Sequence, residues 1–208
     1  MADLLALSSR IVDSGEVDEP VNRITNELSE VADGLAVVES FSHSVVLDTG
    51  DGLVAFDASH ARTGADVAAA IRTWTSSPVT HLVYTHGHAD HVGGSPAFAE
   101  AFGAMTVLGH RNVDARFDRY AYTNDWNVRI NARQFGGVRG DFGMGSTGEF
   151  IPADTLRPDR VIDDLATVTV GERTLELHHA RGETGDHLWG WEPDRRWAFV
   201  GDFVIWNF

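Results

Sequence analysis

The chain has 208 residues, enough for one domain with a sizeable core. Its 43% hydrophobic and 23% charged residues are ordinary globular composition, so a disordered chain is excluded. A net charge of −15 repels phosphate backbones and anionic lipid, which sets nucleic acid and membrane surfaces aside as partners.

There is no cysteine, so disulfides and thiolate metal sites cannot form. The N-terminus has Asp3 before a short apolar run and no basic segment, and does not read as a signal peptide. A cytoplasmic protein is the expectation.

Residues 1–34 are polar and acidic and read as a surface arm with one short helix. A domain is expected over 35–208. Leu35–Glu39, Phe41–Asp48 and Leu53–Asp57 are β-rich, and Thr49-Gly50-Asp51-Gly52 between the last two is a hairpin signal. Val67, Ala70, Ile71 and Trp74 lie on one helical stripe, which predicts a helix over Ala65–Trp74. Val79–Thr85 reads as a buried strand. Ser95–Phe102 reads as a helix capped by Ser95, with Pro96 at its first turn. Met105–Gly109 is a further strand, so the order is α/β.

Residues 110–160, rich in Arg, Asn, Asp and aromatics and then in glycine, look like an insertion that lines or lids a site, with helical pieces near Arg111–Asp118 and Asn127–Phe135. Short strands follow at Val161–Ile162, Thr167–Val170, Thr174–His179, Leu188–Trp191 and Ala198–Gly201. The apolar end Val204-Ile205-Trp206-Asn207-Phe208 reads as a chain cut in mid-domain. The second half of the domain is therefore expected to be incomplete, completed by a further C-terminal segment or a second chain; a homodimer is also compatible.

The informative stretch is Thr85-His86-Gly87-His88-Ala89-Asp90-His91-Val92-Gly93-Gly94. In extended backbone, His86 and His88 face the same side and can grip one ion. Asp90 and His91 lie one step on, where the chain turns, and can face a second ion. Imidazole and carboxylate without thiolate suit zinc, with iron or manganese as alternatives. Chance placement gives H-x-H-x-D-H only about 0.002 times in such a chain.

This loop resembles the signature of the metallo-β-lactamase superfamily, and Phe56-Asp57-Ala58 resembles that family's opening strands. The resemblance implies an αββα four-layer sandwich with two metals at one edge. Val200-Gly201-Asp202 is similar to the family's strand-end aspartate, which implies a bridging ligand at Asp202. Glu183, in Ala180-Arg181-Gly182-Glu183-Thr184-Gly185-Asp186-His187, stands where the common pattern has histidine. That departure resembles the alkylsulfatase-like branch, as does the insertion with Asn131-Ala132-Arg133-Gln134.

The ligand set implied is His86, His88, Asp90, His91, Glu183 and Asp202, with Asp186 and His187 as alternatives to Glu183. No counterpart of the family's last histidine ligand occurs before the chain ends. His110, Arg133, Asp186 and His187 are candidates for second-layer or substrate contacts. His43, His60, His81, His178 and His179 read as structural or surface residues.

The activity implied is hydrolysis of a small-molecule ester, a sulfate ester above all, by water that two zinc ions activate and Asp90 orients. Lactone, thioester or β-lactam hydrolysis on the same ions, or an inactive metal-binding scaffold, are the other readings. Arg129, Arg133, Arg139 and Arg181 are candidate anion grips. Phe117, Tyr120, Tyr122 and Trp126 are candidates to line an alkyl tunnel.

Overall fold

In a computed structural model the described residues are 3–16, 24–135 and 148–204. The chain runs α1 (Leu4–Ser14), β1 (Glu27–Ala32), β2 (Leu35–Glu39), β3 (Ser44–Asp48), β4 (Leu53–Phe56), α2 (Gly64–Trp74), β5 (Val79–Val83), α3 (Ala89–Val92) and α4 (Ser95–Phe102). It continues through β6 (Thr106–His110), α5 (Val113–Tyr122), α6 (Asn124–Phe135), β7 (Arg160–Ile162), β8 (Leu165–Val170), β9 (Arg173–His179), β10 (Leu188–Glu192) and β11 (Trp197–Phe199). A short 3-10 turn, Gly201–Phe203, follows.

β1 to β7 form one sheet in sequence order, antiparallel from β1 to β4 and parallel from β4 to β7. β8 to β11 form a second, antiparallel sheet. The period of two along each strand of the first sheet splits its side chains between two cores. On β4, Leu53 and Ala55 face the helices, while Val54 and Phe56 face the second sheet. Leu82 and Val83 of β5 divide in the same way, as do Val107 and Leu108 of β6.

The helix-side core takes Val67 and Ile71 of α2, Phe98 of α4 and Phe117 of α5. The inter-sheet core adds Leu175, Leu177, Leu188 and Phe199. Buried apolar side chains of this size contribute roughly 1.5–3 kcal/mol each, so the two cores hold the sandwich. The mixed-sheet α/β class read from the sequence is the class observed. Among the described residues three of its layers are present: helices, seven strands and four strands.

Two readings change. Glu27–Ala32, taken as part of a surface arm, is edge strand β1, paired with β2 and burying Leu28 in the helix-side core. Ser95 does not cap α4. Gly94 holds the cap position, and Ser95 is buried with its Oγ accepting the Leu156 N–H at 3.0 Å. The Asp-Gly turn does close β3 onto β4, with Thr49 N–H donating to the Gly52 carbonyl at 3.1 Å. The apolar end from Ile205 to Phe208 and most of the glycine-rich run lie outside the described residues. Among those described, no helix is long and apolar enough to cross a membrane.

Candidate metal centre

The site lies where parallel strands β4 and β5 end. Asp57, directly after β4, has φ +61, a left-handed conformation that costs free energy in a non-glycine residue. It turns a buried carboxylate into three donors. Asp57 Oδ1 accepts the Thr85 N–H at 2.7 Å, and Oδ2 accepts the Thr85 hydroxyl at 2.6 Å. The same Oδ2 lies 2.7 Å from His91 Nδ1.

These contacts assign protons. With its hydroxyl given to Asp57, Thr85 Oγ1 accepts from His86 Nδ1, 3.1 Å away. His86 Nδ1 and His91 Nδ1 thus carry hydrogen, and both Nε2 atoms can offer lone pairs. Both Nε2 atoms are buried and lack a hydrogen-bond partner.

Carboxylates converge on them. Glu183 Oε2 is 3.2 Å from His86 Nε2 and 3.0 Å from His88 Nδ1. Asp202 Oδ2 is 3.3 Å from His91 Nε2, and Asp90 Oδ2 is 3.6 Å from it. Donors about 2.0–2.2 Å from a tetrahedral ion stand roughly 3.3–3.6 Å apart, so a divalent cation fits this spacing. His86, His88 and Glu183 form one such group; His86, His91 and Asp202 form a second. Asp90 is anchored by the Ser42 hydroxyl, which donates to its Oδ2 at 2.6 Å.

The electrostatics of the cluster show the same demand for positive charge. Burial opposes a proton on His91, yet Asp57, Asp90 and Asp202 outweigh it and raise its pKa well above the usual imidazole value. The ring nitrogens of His86 and His88, 3.2 and 3.0 Å from its carboxylate, hold Glu183 well below the carboxylate range. Burial lowers His86, and His91 beside it lowers it further.

Backbone and packing set the approach. Gly201, with φ +50 and directly before Asp202, packs closely on Thr85; a β-carbon there would stand 2.7 Å from the Thr85 Cβ. Asp186, three residues after Glu183 and fully buried, accepts the Gly87 N–H at 2.9 Å. Arg116 of α5 grips both its oxygens, Nη2 at 2.6 Å and Nε at 3.0 and 3.1 Å. Burial alone would raise the Asp186 pKa; Arg116, Thr184 and Gly87 overturn that and hold it at about 2.

Residues 37–205 match the metallo-beta-lactamase superfamily. The chain belongs to that superfamily.

Within it, the chain is 29% identical over 126 residues to a hydroxyacylglutathione hydrolase of Anaeromyxobacter dehalogenans, covering 60% of this chain and 32% of that one. The fold is similar to a stereoselective inverting sec-alkylsulfatase from Pseudomonas sp., with TM-score 0.63 at 19% identity over 81% of this chain and 30% of that one. It is also similar to a metallo-beta-lactamase of Cronobacter sakazakii with a HARLDQ motif, with TM-score 0.56 at 18% identity, covering 81% and 58%. At these identities the solved structures show a shared fold alone. The chain spans about a third of the curated relative's length and less than two thirds of either solved chain.

The six ligand candidates of this superfamily member, His86, His88, Asp90, His91, Glu183 and Asp202, converge from three chain segments. Of the alternatives to Glu183, one is otherwise engaged. Asp186 is taken by Arg116 and Gly87. His187 is buried with its ring stacked on His86 at 4.7 Å and against Phe203 at 4.1 Å, and both ring nitrogens lack partners. His110 stacks on His179, 4.0 Å away, rather than on a ligand ring.

Two cavities meet at the ligands. One of about 710 Å³ lies between the sheets at the β11 edge, lined by apolar residues such as Val37, Phe56 and Trp197. The other, about 280 Å³, lies under α5 and α6. Arg129, Arg133 and Arg181 are exposed and line neither cavity, and Arg139 lies outside the described residues. The expected aromatic tunnel is absent among the described residues. Phe117 is packed in the helix-side core, Tyr122 and Trp126 are exposed, and Tyr120 alone of the four borders the smaller cavity.

Asp57, Ser42 and Arg116 were not singled out by the sequence. Asp57 carried one signal: a charged residue ending an apolar strand needs a buried partner. Ser42 and Arg116 carried none.

Proposed function

We propose that the chain is the catalytic part of a metal-dependent hydrolase with a two-ion zinc centre, acting on a sulfate ester or a related ester. The observation that carries this reading is Glu183 within 3.0 and 3.2 Å of His88 and His86, beside His91 and Asp202. His86, His88 and Glu183 would hold one ion; His91, Asp90 and Asp202 would hold the other. Asp202, within reach of both His86 and His91, would be available to either group. Bound there, the ions lower the pKa of a water and stabilise negative charge on the attacked centre.

The protein's own groups do the rest. Asp57 keeps His86 and His91 in the tautomer that presents Nε2. Asp90, with one oxygen held by Ser42, has the other to orient water. Water and ester give alcohol and acid: the proton that water loses goes to Asp90 and from it to the leaving oxygen, as that oxygen's bond breaks. The alkylsulfatase-like branch is supported by Glu183 at the third ligand position and by the fold likeness to the sec-alkylsulfatase. The hydroxyacylglutathione hydrolase relative favours a thioester as the second reading.

Zinc-loaded protein assayed on sulfate esters, lactones and thioesters decides between them. Turnover confined to sulfate esters upholds the first reading; thioester turnover alone replaces it. Tight zinc binding with no turnover in any panel refutes hydrolysis and leaves a metal-binding scaffold.

A further inference from the structure

The smaller cavity has two unlike walls. One is the ligand set, including Asp90 and Glu183; the other is the insertion, which contributes Arg119 from α5 and Asn127, Asn131 and Gln134 from α6. Positions 127, 131 and 134 are spaced to share one helix face. Of the wall-lining residues, Arg119 carries the single fixed positive charge. Arg116 and Arg157 on or beside the same helix are each paired to aspartates, whereas Arg119 lies over the Tyr120 ring at 5.0 Å with no carboxylate partner among the described residues.

The carboxamides are partly fixed. Asn127 donates one N–H to Thr123 Oγ1 at 2.8 Å, and Asn131 donates one to the Asn127 carbonyl at 3.1 Å. A side-chain amide has two N–H groups, so each keeps one to give. In a chain of net charge −15, a guanidinium without a carboxylate partner and a row of spare amide N–H groups facing the ligand wall are matched to an acceptor-only anion. The volume, about 280 Å³, is at the low end for small-molecule sites and suits a compact head, not an extended chain.

We infer that Arg119, Asn127, Asn131 and Gln134 form the subsite that reads the head group of a compact monoanionic substrate, of the sulfate-monoester type. This rests on the hydrolase reading. One guanidinium balances one charge, and a sulfate monoester offers oxygens that accept and none that donate. Arg119 and the amides bind and orient; the chemistry stays with the ligand wall.

The test is calorimetric binding of methanesulfonate, a monoanion that is not hydrolysed, to the zinc-loaded protein. Loss of one charged hydrogen bond weakens affinity by about tenfold or more. Arg119→Gln should therefore raise Kd about tenfold, and Asn131→Ala several-fold, with zinc content and melting temperature unchanged. Arg129→Gln, on an exposed residue outside the cavity, should bind as wild type. Dimethyl sulfone, neutral and of similar shape, should not distinguish Arg119→Gln from wild type.

Equal methanesulfonate affinity in wild type and Arg119→Gln overturns the subsite. If no ester is turned over yet methanesulfonate binding follows Arg119, the subsite stands and the hydrolase reading falls. If esters are turned over with a KM indifferent to Arg119, the reverse holds.

Discussion

Removing the Arg116 guanidinium should destabilise the fold and loosen one metal group more than the other. The Asp186 side chain is fully buried and that of Arg116 is 15% exposed, so solvent screens the pair weakly. Breaking a buried pair from one side leaves an uncompensated charge and costs about 3–5 kcal/mol. Asp186 keeps its Gly87 N–H, which places Arg116→Ala near the lower figure, about 3 kcal/mol. For a chain of this length that is a fall of roughly 6–12 °C in melting temperature.

The functional consequence follows from connectivity. Asp186 ties Gly87, which lies between His86 and His88, to the loop that carries Glu183. Arg116 therefore sets the register of His86, His88 and Glu183, while His91 is held separately by Asp57. Urea unfolding in chelator measures the structural cost, and competitive zinc titration measures each site. Arg116→Ala should weaken the first zinc about tenfold and spare the second; Arg116→Lys, which keeps the charge but loses the fork, should fall between. An unchanged urea midpoint in chelator, or equal weakening of both zincs, refutes the reasoning.

Wild-type protein should take up close to two zinc ions per chain by elemental analysis, and none after zinc supplementation would end the metal reading. His88→Ala should abolish turnover and shrink the rise in melting temperature that zinc produces, since a ligand stabilises only the state it binds; an undiminished rise means that His88 is no ligand. Glu183→Gln should lose the first zinc and keep the second, and retention of two tightly bound ions would return that place to His187. Asp57→Asn should leave His91 without its carboxylate partner and weaken the second zinc about 10–100-fold, so an unaltered second affinity would remove Asp57 from the centre.

Much of the site was legible because it is local. His86, His88, Asp90 and His91 lie within six residues, and a strand that ends and then turns is enough to bring them together. Glu183 and Asp202 were legible only through family resemblance, since nothing nearby marks one turn carboxylate as different from another. The strand-rich order and the α2 stripe followed from periodicity, which depends on neighbours three or four residues apart.

What tertiary structure decided has sequence separations too long for any spacing rule. Ser42 reaches Asp90 across 48 residues, Asp57 reaches His91 across 34, and Arg116 reaches Asp186 across 70. Each is a short polar contact made by packing two sheets and a helix, and none leaves a pattern in its own segment. The arginines chosen for an anion, Arg129, Arg133 and Arg181, failed to reach a cavity for the same reason. A guanidinium's chemistry is in the sequence, but the face of α6 that meets the ligand cluster is set by how the insertion folds back. Glu27–Ala32 was missed because an edge strand with one buried face, punctuated by acids, carries too little apolar signal until β2 pairs with it.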